Sequence, residues 1–220
     1  MAGLIAGTWS IKVMLAAESS WEGVWGATTM VKRFHQLLLI ATFLPLCWLL
    51  TQAVHELGHV VVACATGGTV SKVVLHPLAI SRTDTSGSSQ TALVLWGGPA
   101  MGVGLPLVLF WIWKAASLGW DYLVQFFAGT CLVANGAYIA VGWYRGIGDA
   151  GDLVREGSPP WLLCLLGASA VVGGLGLWNG LGPNFGLGAA KGKVSYPAAW
   201  LSTALLLAVV GLELALISSQ

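Results

Sequence analysis

The chain has 220 residues, of which 56% are hydrophobic and 9% charged, and its formal net charge is +1. An ordinary soluble domain carries about 25% charged residues, so the composition excludes that class and reads as an integral, multi-pass membrane protein. A near-neutral balance without any Lys/Arg cluster excludes nucleic acid as a partner.

In chain order, residues 1–31 are apolar but lack a basic start and are interrupted by Lys12, so they do not read as a cleavable signal peptide. Trp9, Trp21 and Trp25 suit the headgroup region, and an interfacial helix is expected there, with a sixth crossing as the alternative. A bilayer core needs roughly 20 apolar helical residues. Runs that meet or approach this length are 37–53 (continuing to about 65), 91–113, 122–144, a stretch within 157–190, and 194–212. Between the first two lies a polar insert, 66–90. Its SKVVLHPLAI portion is β-branched and bounded by Gly and Ser/Thr clusters, which predicts a short strand or hairpin. GLGLWNGLGPNFGLGAAKGK, residues 174–193, is too rich in Gly for an undisturbed helix and reads as the last connection. Cys47, Cys64, Cys131 and Cys164 are far apart, show no zinc-ribbon or disulfide spacing, and read as small buried hydrophobes. No internal repeat or long linker divides the chain. The expected fold is an all-α membrane protein, a polytopic bundle of about five to six transmembrane helices with a short β-like insert between the first two core helices.

The first apolar run holds AVHELGHVVVACATGG, residues 53–68. His55 and His59 differ by about 40° in direction on an α-helix and sit one turn apart, so one metal can touch both. Glu56, beside His55, can deprotonate a water at that metal without being a ligand. This is HExxH. At this chain's own His and Glu frequencies, chance supplies the pattern in about one of several hundred such chains. Ionisable groups at membrane depth cost at least a few kcal/mol unless compensated, and a metal ion compensates them.

Catalytic zinc takes three protein ligands, so a third must come from elsewhere. Cys64 points about 180° away on the same helix, Cys47 is two turns off, and His35 is farther still. His76, Asp84, Asp121, Asp149, Asp152, Glu156 and Glu213 remain. RGIGDAGDL, residues 145–153, stands out: its two aspartates, three apart, follow a glycine-bearing break and can share one side of a short helical turn. An N-cap role accounts for either aspartate taken alone.

With these residues the chain resembles the site-2 proteases, intramembrane zinc metallopeptidases that pair HExxH on one helix with an aspartate ligand in a DG-like segment at a later helix. HELGH matches that motif in full. GDAGDL matches it imperfectly, with Ala150 where glycine is usual and the preceding Asn-x-x-Pro missing, so the resemblance implies Asp149 as the third ligand with Asp152 as fallback. LWGGPAMG, residues 95–102, resembles the family's Gly-Pro segment, although Gly102 replaces its usual asparagine. Gly97, Gly98 and Pro99 would let their helix pack closely beside the site. The resemblance covers roughly residues 50–155. The expected organisation is an N-terminal interfacial or extra membrane segment 1–31, a core 32–155 with the polar insert 66–90, which the resemblance implies is a three-helix metalloprotease core, and C-terminal transmembrane helices 156–220 that lie outside the resemblance.

The activity the resemblance implies is hydrolysis of peptide bonds in or near transmembrane segments of membrane-protein or peptide substrates, with Zn2+ as cofactor, His55, His59 and Asp149 as metal ligands and Glu56 as general base. A helical substrate must unwind locally, and the strand-like insert could pair with its extended edge. The alternatives are a catalytically silent relative that binds membrane clients and, third, an ion-site transporter. An intact Glu56 speaks against the silent relative, and the lack of paired repeats speaks against the transporter. Six Lys/Arg on one side of five crossings against four on the other are too few to orient the chain.

Overall fold

The structure, a computed structural model, describes residues 3–218, with side chains from residue 30 onward. The reading of residues 1–31 as an interfacial or crossing segment falls largely on side chains outside that description. Helix α1 is assigned over Gly3–Ala65. It is followed by β1 (Thr69–Val74) and β2 (Arg82–Ser86), then α2 (Thr91–Ala115), α3 (Asp121–Arg145), a short α4 (Gly148–Arg155), α5 (Pro160–Trp178) and α6 (Tyr196–Ser218). Among the described residues, five helical segments are long and apolar enough to cross a membrane: Met30–Ala65, Thr91–Ala115, Asp121–Arg145, Pro160–Trp178 and Tyr196–Ser218. This is an all-α polytopic bundle with one small sheet.

Two sequence expectations shift. The hairpin forms, but β2 falls on RTDTS, not on HPLAI, and pairs antiparallel to β1 with Val73 opposite Thr83. Pro77 has no N–H to give a ladder, and residues 75–81 become the connection. In the last connection, GLGLW stays helical to the end of α5, and only from Asn179 does the chain turn, through short 3-10 segments at Gly182–Phe185 and Gly188–Ala190. Gly174 is part of that helix because it packs on α3: a Cβ there would lie 2.7 Å from the Gly129 carbonyl oxygen.

Helix contact in lipid rests on van der Waals fit between small residues, and α1 and α2 show it at the point that matters. Gly58, inside HELGH, meets Gly97: a Cβ on Gly97 would lie 2.7 Å from the Gly58 carbonyl oxygen, and one on Gly58 would fall on the Gly97 carbonyl. Farther along, Leu39, Phe43, Leu46 and Cys47 of α1 form a core with Tyr122, Phe185 and Ala199. A second core joins Ile139, Ala150, Leu153 and Leu163, and it seats α4 against α3 and α5.

Candidate metal centre

His55 and His59 leave α1 on one face, one turn apart, as a four-residue spacing requires. Each ring is fixed by its inner nitrogen. His59 Nδ1 lies 2.7 Å from the Val94 carbonyl oxygen of α2; a carbonyl only accepts, so Nδ1 carries the proton. His55 Nδ1 lies 2.7 Å from Asn135 Oδ1 of α3. Asn135 directs its Nδ2 to the Cys131 carbonyl oxygen at 2.9 Å, so its Oδ1 is the acceptor and His55 Nδ1 the donor. Both Nε2 atoms therefore present lone pairs, and they do so toward each other, 3.1 Å apart.

Asp149 completes the group. Its Oδ2 lies 2.9 Å from His55 Nε2 and 3.3 Å from His59 Nε2. Among the described residues, His55, His59 and Asp149 are a set whose ligand atoms all lie within 4.8 Å of one another. Three electron-pair donors thus converge with no proton of their own between them, an arrangement that a cation relieves. Ligand atoms on tetrahedral zinc, at about 2.0–2.1 Å from the ion, stand about 3.3 Å apart. The residues fit that metal.

The backbone that delivers Asp149 is a sharp break. α3 ends on Gly146 at φ +62°, Ile147 is extended, and Gly148 opens α4 at φ +58°. A Cβ on Gly148 would be driven into the Tyr138 hydroxyl, the same oxygen that accepts the Asp149 backbone N–H at 2.8 Å. The tyrosine ring also stands edge-on to His55, with ring centroids 5.8 Å apart. Gly151 packs directly on the Gly146 backbone. The Ala150 side chain is buried in the core shared by α3, α4 and α5.

Asp152 goes elsewhere. Its carboxylate pairs with Arg155 on the exposed side of α4, so the three-residue spacing does not bring both aspartates to the histidines. Of the other candidates, Asp84 pairs with Arg82 at 3.5 Å, and His76 accepts the Leu78 N–H. Gly98 faces the group directly, since a Cβ there would lie 2.6 Å from His55 Nε2 and closer still to His59 Nε2. Gly97 and Pro99 are buried in the same turn of α2. Gly102 abuts the amide of Asn135, 2.6 Å from where its Cβ would lie.

Glu56 is 6% exposed. Its Oε2 accepts a hydrogen bond from Thr83 Oγ1 of β2 at 2.7 Å. Histidines, Glu56 and Asp149 share one cavity of about 510 Å3, walled by Trp48, Ile80 and Leu95 together with Thr83, Asn135 and Tyr138. Asn135, Tyr138 and Thr83 were not singled out in the sequence. A lone amide in the middle of a long apolar run was a readable signal for Asn135; Thr83, in a polar insert of Ser and Thr, carried none.

A family model described as Peptidase M50B-like matches residues 26–144, more than half of the chain and ending before Asp149. No curated protein and no solved structure matches.

Proposed function

The chain belongs to the M50B-like peptidases, a zinc-dependent family of membrane metalloproteases, and on that premise we propose that it is an active intramembrane zinc protease that hydrolyses peptide bonds in or near transmembrane segments of its substrates. In this reading residues 32–155 form the catalytic core, and α5 and α6 brace it through their packing on α3 and α1. The observation that carries the proposal is the convergence of His55 Nε2, His59 Nε2 and the Asp149 carboxylate within 3.3 Å, beside Glu56 in the same cavity.

His55, His59 and Asp149 would hold the zinc. The chemistry a bound zinc supplies is Lewis acidity, which polarises a carbonyl and lowers the pKa of a water. Asn135 and the Val94 carbonyl keep both imidazoles in the tautomer that leaves Nε2 free, the outer-shell function that a metal site needs. Glu56 takes a proton from the attacking water and returns it to the leaving amine as the C–N bond breaks and a carboxyl forms. Trp48, Ile80 and Leu95 offer apolar surface to substrate side chains. β2 lines the cavity, so a locally unwound substrate can lie along it as an added strand.

The test compares the wild-type chain with Glu56→Gln and with the His55→Ala, His59→Ala double variant. About one zinc per chain is expected in the first two and none in the last, with turnover of a membrane-spanning peptide lost in both variants. Equal zinc in all three would end the metal-site reading; turnover in Glu56→Gln would move the base elsewhere and end the role assigned to Glu56.

A further inference from the structure

The polar insert does more than wall the cavity. Its hairpin is fastened to α1 at two points: the Ser81 backbone N–H donates to Gln52 Oε1 at 2.8 Å, and the Thr83 hydroxyl donates to Glu56 Oε2 at 2.7 Å. The spacings match. Two residues along an extended chain cover about 6.6 Å, and four residues along a helix rise about 6.0 Å, so positions 81 and 83 lie in register over 52 and 56. Thr83 is in turn held by strand pairing opposite Val73. The hydroxyl therefore arrives at the carboxylate on a strand, not on a free loop. It ties down Oε2, and Oε1 is the oxygen left to take a proton.

From this geometry we infer that Thr83 is a positioning residue for hydrolysis: its hydroxyl holds the Glu56 carboxylate in the orientation that proton transfer requires. The inference rests on the general-base reading of Glu56. Thr83 lies on the strand that lines the cavity beside Ser81 and Thr85, so a substrate segment lying along β2 engages the same element that sets the base. The role is confined to orientation, because the Thr83 hydroxyl directs its hydrogen bonds to Glu56 and Thr83 is not one of the ligand group of His55, His59 and Asp149. Loss of its hydroxyl acts on the chemical step and leaves metal and substrate binding in place.

The variants are Thr83→Val, which keeps the shape and removes the donor, and Thr83→Ser, which keeps the donor. Full-length protein in phosphatidylcholine vesicles is assayed with a quenched-fluorescence single-span peptide, beside Glu56→Gln. Thr83→Val is expected to lower kcat about 10- to 100-fold, as outer-shell contacts do, with KM and zinc content near wild type, and Thr83→Ser to restore most of kcat. A second measurement needs neither metal nor turnover. In the metal-free protein, the carboxylate infrared band that disappears in Glu56→Gln should shift in Thr83→Val and not in Thr83→Ser. An unshifted band, or a Thr83→Val kcat equal to wild type while Glu56→Gln is inactive, overturns the inference. If Glu56→Gln itself turns over, the base assignment fails instead, and the infrared shift still reports whether Thr83 holds the carboxylate.

Discussion

The proposed ligands reach one point by two different constructions. His55 and His59 come from the interior of α1, where the helical repeat alone aligns them and the neighbouring helices have only to supply the Val94 carbonyl and Asn135. Asp149 comes from a break between α3 and α4, where no repeat applies. There the position of one carboxylate depends on left-handed backbone at Gly146 and Gly148, on the Tyr138 hydroxyl and on Gly151 lying against Gly146. A regular helix encodes its geometry in spacing, while a break encodes it in residues that tolerate unusual backbone and close approach. Substitutions on the outward face of α1 beside the histidines should therefore be tolerated, whereas the break that carries Asp149 should be sensitive to a single added methyl.

The largest expected effect is removal of the carboxylate. Asp149→Ala should lose most of its zinc and all turnover, because two histidines do not make up the three protein ligands of a catalytic site. Metal analysis of purified protein reads the first and peptide cleavage the second. Zinc retained at wild-type level would leave the histidine pair without the partner assigned to it.

Next comes the break itself. Gly148→Ala forces a side chain onto left-handed backbone, which costs roughly 1–2 kcal/mol, and drives a methyl into the Tyr138 hydroxyl. Zinc affinity should fall about 10- to 100-fold, the range seen when an outer-shell support is lost. Leu57→Ala, a change on the half-exposed outer face of α1 within HELGH, should leave affinity unchanged. A competition titration against a chelator compares the two, and equal affinities would remove the contrast between helix and break.

The smallest effect is expected at Asp152. Its partner is Arg155 on an exposed face, and surface ion pairs contribute about 0–1 kcal/mol. Asp152→Ala should hold its zinc and its turnover within about twofold of wild type, whereas a residue orienting a ligand would lose about 10- to 100-fold. Losses matching those of Asp149→Ala would hand the ligand to Asp152.

Much of the molecule was legible before any coordinates. The membrane class, the spans and the HELGH pair follow from local quantities: about 20 apolar residues cross a bilayer, and a four-residue spacing puts two side chains on one helix face. The hairpin was legible as an element but not in its strands, because β2 is a polar RTDTS whose pairing depends on β1. The close approach of α2 was legible in Gly97, Gly98 and Pro99, though not that Gly58 of HELGH would meet it.

Spacing leaves Asp149 and Asp152 equivalent and the motif resemblance only ranked Asp149 first; the tertiary structure shows where each carboxylate goes. The burial of Ala150 and Leu153 against α3 and α5 turns one carboxylate toward the histidines and the other toward Arg155. It also assigned Asn135, Tyr138 and Thr83 to their partners 80, 11 and 27 residues away. Local sequence determines what a segment can present, since backbone repeats act over a few residues. Which of those groups meet is decided by the packing of whole helices, because contacts between distant residues form only once several elements have taken their places.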